Sequence, residues 1–212
     1  MKALVTGFDP FGGEEVNASL EAVRRLPARI GALEVSTAEL PTSYARAPAE
    51  LEAAIERARP DIVLCVGQAS ERSEPCVERI AVNMQDALVA DNDGARPMEL
   101  PVVPGGPAAY FATLPVREAV AALRAAGLPA AMSMSAGTFV CNHVFYGLMH
   151  RAATRGHSYR GGFLHVPHLS RHPQTEGKAP PLAPEDIARA IAIVLEVAAS
   201  RVESARRVSS TA

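Results

Sequence analysis

Residues 2–7, KALVTG, form a short apolar run closed by glycine, and residues 33–40, LEVSTAEL, alternate apolar and polar side chains at period two. Both patterns predict strands. Between them NASLEAVRRL opens on Asn17 and repeats apolar residues at Leu20, Val23 and Leu26, the spacing of an N-capped amphipathic helix that Pro27 stops. The alternation continues with a helix near 43–58, the strand DIVLCVG at 61–67, a strand VERIAVN at 77–83, the helix VREAVAALRAAG at 116–127 and the strand AAMSMS at 130–135. A helix follows over 142–155, carried by Val144, Phe145, Leu148, Met149 and Ala152, and then the strand GGFLHV at 161–166. A last helix from about Glu185 places Ile187, Ile191, Val194, Leu195, Ala198 and Val202 on one stripe, with Pro184 where a first helical turn tolerates proline. Strands alternating with helices predict an α/β fold, a three-layer α/β/α sandwich around a largely parallel twisted sheet. PVVPGGP at 101–107 and PQTEGKAPPLAP at 173–184 read as surface loops, and with no internal repeat the chain reads as one catalytic domain over 1–212.

The composition narrows the partners. The chain has 212 residues, 48% hydrophobic and 21% charged, with 21 basic and 23 acidic residues intermingled for a net charge of −2. No basic stripe points to nucleic acid or an anionic membrane. No apolar run reaches the roughly 20 residues of a bilayer span, and the start MKALVTGFDPFGG lacks a signal-peptide pattern, so a cytoplasmic location is expected. Cys65, Cys76 and Cys141, an odd count without CxxC spacing, suit a reducing compartment.

In an open α/β sheet, ligands bind beyond the carboxyl ends of the strands. There the sequence places FDPFGG, QASER, AGTFVC and, after GGFLHV, Pro167 and His168. Cys141 stands where a helix begins, and the free N–H groups of a first helical turn favour a thiolate there; a buried structural thiol is the alternative. Cys65 lies inside an apolar strand and reads as core, and Cys76 as a loop or strand-edge thiol. His165 ends a glycine-led strand, from which an imidazole reaches the same rim as either a base or a structural histidine. His143, His150 and His157 read as solvated or hydrogen-bonded surface residues. A metal site at His165, His168 and His172 is not expected, because Pro167 and Pro173 interrupt the segment and no carboxylate or cysteine lies at ligand spacing. A Cys–His pair needs a third group to orient the imidazole. Glu78, Asp86, Asp91 and Asp93 all remain open on spacing alone.

GFDPFGG at 7–13, ERIAVN at 78–83, DNDG at 91–94, AGTFVCNHVFY at 136–146 and GGFLHVPH at 161–168 resemble, in order and spacing, the cysteine-type pyroglutamyl peptidases, also called pyrrolidone-carboxylate peptidases. The resemblance spans residue 2 to about 170. It implies that Cys141 is the nucleophile, His165 the base and Glu78 the orienting acid. It further implies removal of N-terminal pyroglutamate from peptides through a thioester, an α/β/α domain without metal or cofactor, and cytosolic homotetramers. A neutral lactam with no α-amine calls for apolar walls and a few hydrogen-bonding groups. Phe8, Phe11 and Phe139 are candidate walls, and Asn17, Thr42 and Gln68 candidate polar contacts. Ser70 and Glu71 replace a usual glycine pair, Ala18 a proline, His168 a tyrosine and Leu88 an arginine. These changes leave two alternatives: a related cysteine amidohydrolase of altered substrate, or a silent homologue that binds pyroglutamyl ends or serves as an assembly subunit.

Overall fold

A computed structural model describes residues 1–69, 71–156, 159–169 and 182–209, with side chains of the last segment through Ser204. Ser70, His157, His172 and most of the loop at 173–184 lie outside the described residues. The elements follow as β1 (Lys2–Phe8), α1 (Ala18–Val23), β2 (Arg29–Ile30), β3 (Leu33–Leu40), α2 (Ala47–Ala58), β4 (Ile62–Gln68), β5 (Cys76–Glu78), β6 (Ile80–Val82), β7 (Ala109–Phe111), α3 (Val116–Ala125), β8 (Ala131–Ser133), α4 (Val140–Thr154), β9 (Arg160–Val166) and α5 (Pro184–Ser209).

Seven strands make one sheet in the order β2-β3-β1-β4-β9-β5-β8. β3, β1, β4 and β9 are mutually parallel, while β5 runs antiparallel to β9 and pairs in parallel with β8. β1 and β4 are buried at nearly every position, as strands covered on both faces must be. Helices α1, α3 and α5 pack together on one face, and α2 and α4 on the other. The expected α/β/α sandwich is therefore present. The chain leaves β1 for β3 through α1 and returns to β4, on the other side of β1, through α2. That reversal puts the topological switch point beyond Phe8 and Gln68, at the strand ends where such folds bind ligands.

β5, β6, α2 and α4 depart from the expected elements. VERIAVN is not one strand: β5 belongs to the main sheet, whereas β6 pairs with β7 in a separate two-stranded ribbon against α4. The break falls at Arg79, whose N–H donates to Ser133 O and whose carbonyl accepts from Ala112 N–H. Apolar periodicity runs through both pieces because each has a buried side, so pattern alone cannot see the turn between sheets. α2 begins at Ala47 instead of 43, since Ser43 and Tyr44 are held by Asp93 and Asp91. α4 begins at Val140 and so takes Cys141 into its first turn.

Candidate active site

Three elements converge on one face of the sheet. In the parallel register of β4 and β9, Gly67 lies beside His165 and Cys65 beside Phe163. In the antiparallel register of β5 and β9, Cys76 is opposite His165 and Glu78 opposite Phe163. Paired residues point to the same face, and a diagonal neighbour two residues along is within reach of a long side chain. Glu78 thus lies one pleat deeper than His165. Its Oε1 is 2.8 Å from His165 Nδ1, with Glu78 fully buried and His165 4% exposed. Of the four acids open on spacing, Glu78 is the one at His165. Asp91 accepts from Tyr44 N–H and from Asp93 and Ala95 in its own turn, Asp93 pairs with Arg46 and Ser43, and Asp86 is tied to Thr138 through its main chain.

The other ring nitrogen, Nε2, remains for Cys141, whose charge acts on His165. Burial pushes the imidazole down, but the negative charge of Cys141 and the hydrogen bonds to Cys141 and Glu78 outweigh it and hold His165 up at about 9. Cys141 reaches the ring because position 67 has no side chain. A Cβ on Gly67 would fall 2.8 Å from Cys141 Sγ and 2.8 Å from Phe163 Cζ, so the sulfur occupies the seat a side chain would fill. Phe163 packs beneath, 4.8 Å from His165 and 5.8 Å from Phe145 of α4.

The N-cap of α4, Phe139, supplies no capping side chain. The N–H groups of Val140, Cys141 and Asn142 therefore have no intrahelical acceptor, and the positive end of the helix lies at the thiol. Gly137, at φ 74°, turns the chain into this position, and Thr138 fixes it by donating to Asp86 O at 2.7 Å and accepting from Asp86 N–H at 3.1 Å. Asn142, fully buried, accepts from Val82 N–H and donates to the carbonyls of Val82 and Met84, each at 2.9 Å. The stretch from Cys76 to Met84 thus carries the carboxylate to His165 and clamps the helix that bears Cys141.

Cys141 is half-buried, whereas Cys65 and Cys76 are buried. Desolvation drives Cys65 up to about 12 and Cys76 to about 11, so both stay as thiols at neutral pH. None of the three is paired.

Beside Cys141, Phe139 stands 5.0 Å from Phe11 and 5.6 Å edge-on from Tyr44, forming an aromatic wall. Phe8 lies apart from that wall, 2% exposed and 6.4 Å from Phe163, in the core below the site. Asn17 caps α1 by accepting from Ser19 N–H and donates to Asp9 O. Thr42 N–H donates to Asp9 Oδ1 at 2.6 Å. Gln68 accepts from Ala18 N–H at 2.7 Å, and its Nε2 is 3.3 Å from His168 Nε2. These three polar residues hold the first loop in place. Leu88 is 87% exposed, and Arg96 Nε donates to the neighbouring Ala87 O.

Asn142, Tyr44 and Gly67 escaped the sequence reading. Gly67 carried a usable signal, since glycine inside a strand marks close approach; Asn142 and Tyr44 carry none before the fold is known.

His143 departs from its expected surface setting. It is half-buried, 5.3 Å edge-on from Tyr44, and its buried Nδ1 has no hydrogen-bond partner among the described residues. Burial pushes it down from 6.5 to about 4. With the folded value depressed, its contribution to stability is complete above about 6.5 and is lost as pH falls through about 4. His143→Phe, which keeps the ring packing, is expected to lose less Tm than wild type between those pH values; parallel Tm curves would contradict this.

An α/β/α scaffold with a helix-terminal cysteine beside a buried imidazole–carboxylate pair defines a cysteine-type hydrolase. The pyroglutamyl peptidase family matches residues 1–201, and the chain belongs to it. Pyrrolidone-carboxylate peptidase 1 of Ralstonia nicotianae is 47% identical over 96% of this chain and 95% of its own. The pyrrolidone-carboxylate peptidase of Streptomyces coelicolor is 49% identical over 93% and 92%. The crystal structure of Bacillus amyloliquefaciens pyroglutamyl peptidase I superposes with a TM-score of 0.88 at 43% identity, covering 94% of this chain and 97% of that one.

Proposed function

We propose that this chain removes N-terminal pyroglutamate from peptides with Cys141 as nucleophile, His165 as acid and base, and Glu78 as the carboxylate that orients His165. The Cys141 thiolate attacks the pyroglutamyl carbonyl carbon. The developing oxyanion is met by the N–H groups of the first turn of α4, an arrangement that requires no reorganisation during the reaction. The His165 imidazolium gives its proton to the departing amine, leaving a pyroglutamyl thioester on Cys141. Neutral His165 then takes a proton from water, whose oxygen attacks the thioester to release pyroglutamate and regenerate the thiolate–imidazolium pair. Phe11 and Phe139 form the lactam walls, and Phe8, Asn17, Thr42 and Gln68 shape the floor and loop beneath.

The observation that carries this reading is the buried 2.8 Å contact between Glu78 and His165, which leaves Nε2 for the half-buried Cys141. Because imidazolium is the proton donor, kcat/KM should fall on an alkaline limb near pH 9, where His165 loses its proton. Incubation with a pyroglutamyl amide tests the function: release of the amine is expected, and stoichiometric iodoacetamide should stop it while labelling Cys141 and sparing Cys65 and Cys76. Turnover that survives complete alkylation of Cys141 would refute the assignment.

The proposal extends to one catalytic domain, cytoplasmic and assembled as a homotetramer. One continuous buried core from Ala3 to Val202 supports the first point, and three unpaired thiols the second. Exposed Leu88, Met98, Phe111 and Met134 support an assembly that covers them. Among the described residues, no helix is long and apolar enough to cross a membrane.

A further inference from the structure

We propose that Arg72 is a positioning residue shared between the buried Glu78 and the exposed Glu71, and that Glu71 thereby tunes the charge balance of the His165–Glu78 pair. The inference rests on the catalytic reading above. Arg72 Nη2 lies 3.8 Å from Glu78 Oε1, the same oxygen that meets His165. Nη2 is pinned there by donating to Ser133 Oγ and Ser135 O, both at 3.1 Å. On its other edge Arg72 Nε is 3.6 Å from Glu71 Oε1. The exposures grade outward: the Glu78 side chain is fully buried, Arg72 is 29% exposed and Glu71 66%.

A fully buried carboxylate needs compensation from hydrogen bonds or a cation. Glu78 Oε2 has no hydrogen-bond partner among the described residues, and neither does Arg72 Nε. The carboxylate is therefore held by His165 on one oxygen and by the field of a guanidinium that stands just outside hydrogen-bonding range. Glu71 pulls the same guanidinium toward solvent. The charged groups at the pair are Cys141 from α4, which acts on His165, and Arg72, which faces Glu78; Glu71 and Glu74, from the segment before β5, act on the neighbouring Cys76. Arg72 is the one cation among them, and its 3.8 Å approach to Glu78 Oε1 is the geometry on which the inference stands.

The signs follow from electrostatics. Removing a cation raises the proton affinity of every neighbouring group, and removing an anion lowers it. Arg72→Gln should move the alkaline limb of the pH–rate profile to higher pH, by about one unit, and should lower kcat because Glu78 loses its anchor. Glu71→Gln should move that limb the other way by a smaller amount that disappears in high salt, because Glu71 is exposed and screened. Arg72→Lys keeps the charge and should leave the limb near its wild-type position.

The test is the pH dependence of kcat/KM for a pyroglutamyl amide and of Cys141 alkylation by iodoacetamide, at low and high salt, in wild type, Glu71→Gln, Arg72→Gln, Arg72→Lys and Glu78→Gln. Opposite shifts in Arg72→Gln and Glu71→Gln are expected. An unshifted limb in both, with Glu78→Gln impaired, would overturn this inference and leave the catalytic reading standing. Full activity in Glu78→Gln would overturn that reading and this inference with it. Should Arg72→Gln fail to fold, the exposed Glu71→Gln substitution decides alone: a salt-sensitive acid shift supports the sharing, and no shift refutes it.

Discussion

Cys141→Ser is expected to abolish turnover, leaving less than about one part in a thousand of wild-type kcat, with Tm little changed. A serine hydroxyl fits the seat over Gly67, since it is smaller than the thiol, so the fold has no reason to respond. The chemistry does. The His165–Glu78 arrangement serves an anionic sulfur and an imidazolium, and a serine hydroxyl stays protonated at neutral pH. A second readout follows from the same cause. The negative charge of Cys141 is the largest of the effects that oppose burial at His165, ahead of Glu78, so removing it should drop the His165 titration below its wild-type position near 9, visible by NMR. A serine variant with substantial activity, or with an unmoved His165, would contradict the assigned roles.

Gly67→Ala is expected to cost about a hundredfold or more in kcat/KM, although no hydrogen bond or charge is altered. The new methyl carbon would stand 2.8 Å from both Cys141 Sγ and Phe163 Cζ and 3.1 Å from Phe163 Cε1. Gly67 has ordinary strand geometry, so alanine suffers no backbone strain; the conflict is one of space alone. Phe163 is fully buried among Phe8, Phe145 and His165 and has little room to retreat. The sulfur and the first turn of α4 must move instead, away from His165. Displacements approaching 1 Å at reacting atoms carry losses of order 10². Overpacking should also lower stability by about 1–3 kcal/mol. Wild-type kinetics in Gly67→Ala would show that Cys141 is not positioned by this seat.

Much of this arrangement was legible in the sequence, for a physical reason. Alternating periodicities of two and 3.6 identify a parallel-rich α/β sheet, and such a sheet fixes which loops share an edge. FDPFGG, AGTFVC and the end of GGFLHV could therefore be brought to one rim before any coordinates were available. The choice of Glu78 was different in kind. It depends on β5 entering beside β9 in antiparallel register, a pairing between residues 87 positions apart that no local pattern encodes. The same holds for VERIAVN, read as one strand but divided at Arg79 between two sheets. Asn142 and Tyr44 belong to this class as well. Their partners, Val82, Met84 and Asp91, are distant in the chain, and no local pattern encodes those contacts. Gly67 was legible in principle, as a strand glycine with nothing to pack, and the structure supplies what fills its place.

The most direct measurement is acid quenching of the enzyme during turnover of a pyroglutamyl amide, followed by mass-spectrometric peptide mapping. A pyroglutamyl thioester is expected on the peptide that contains Cys141, absent when the protein is alkylated beforehand. An acyl group on any other residue would contradict it.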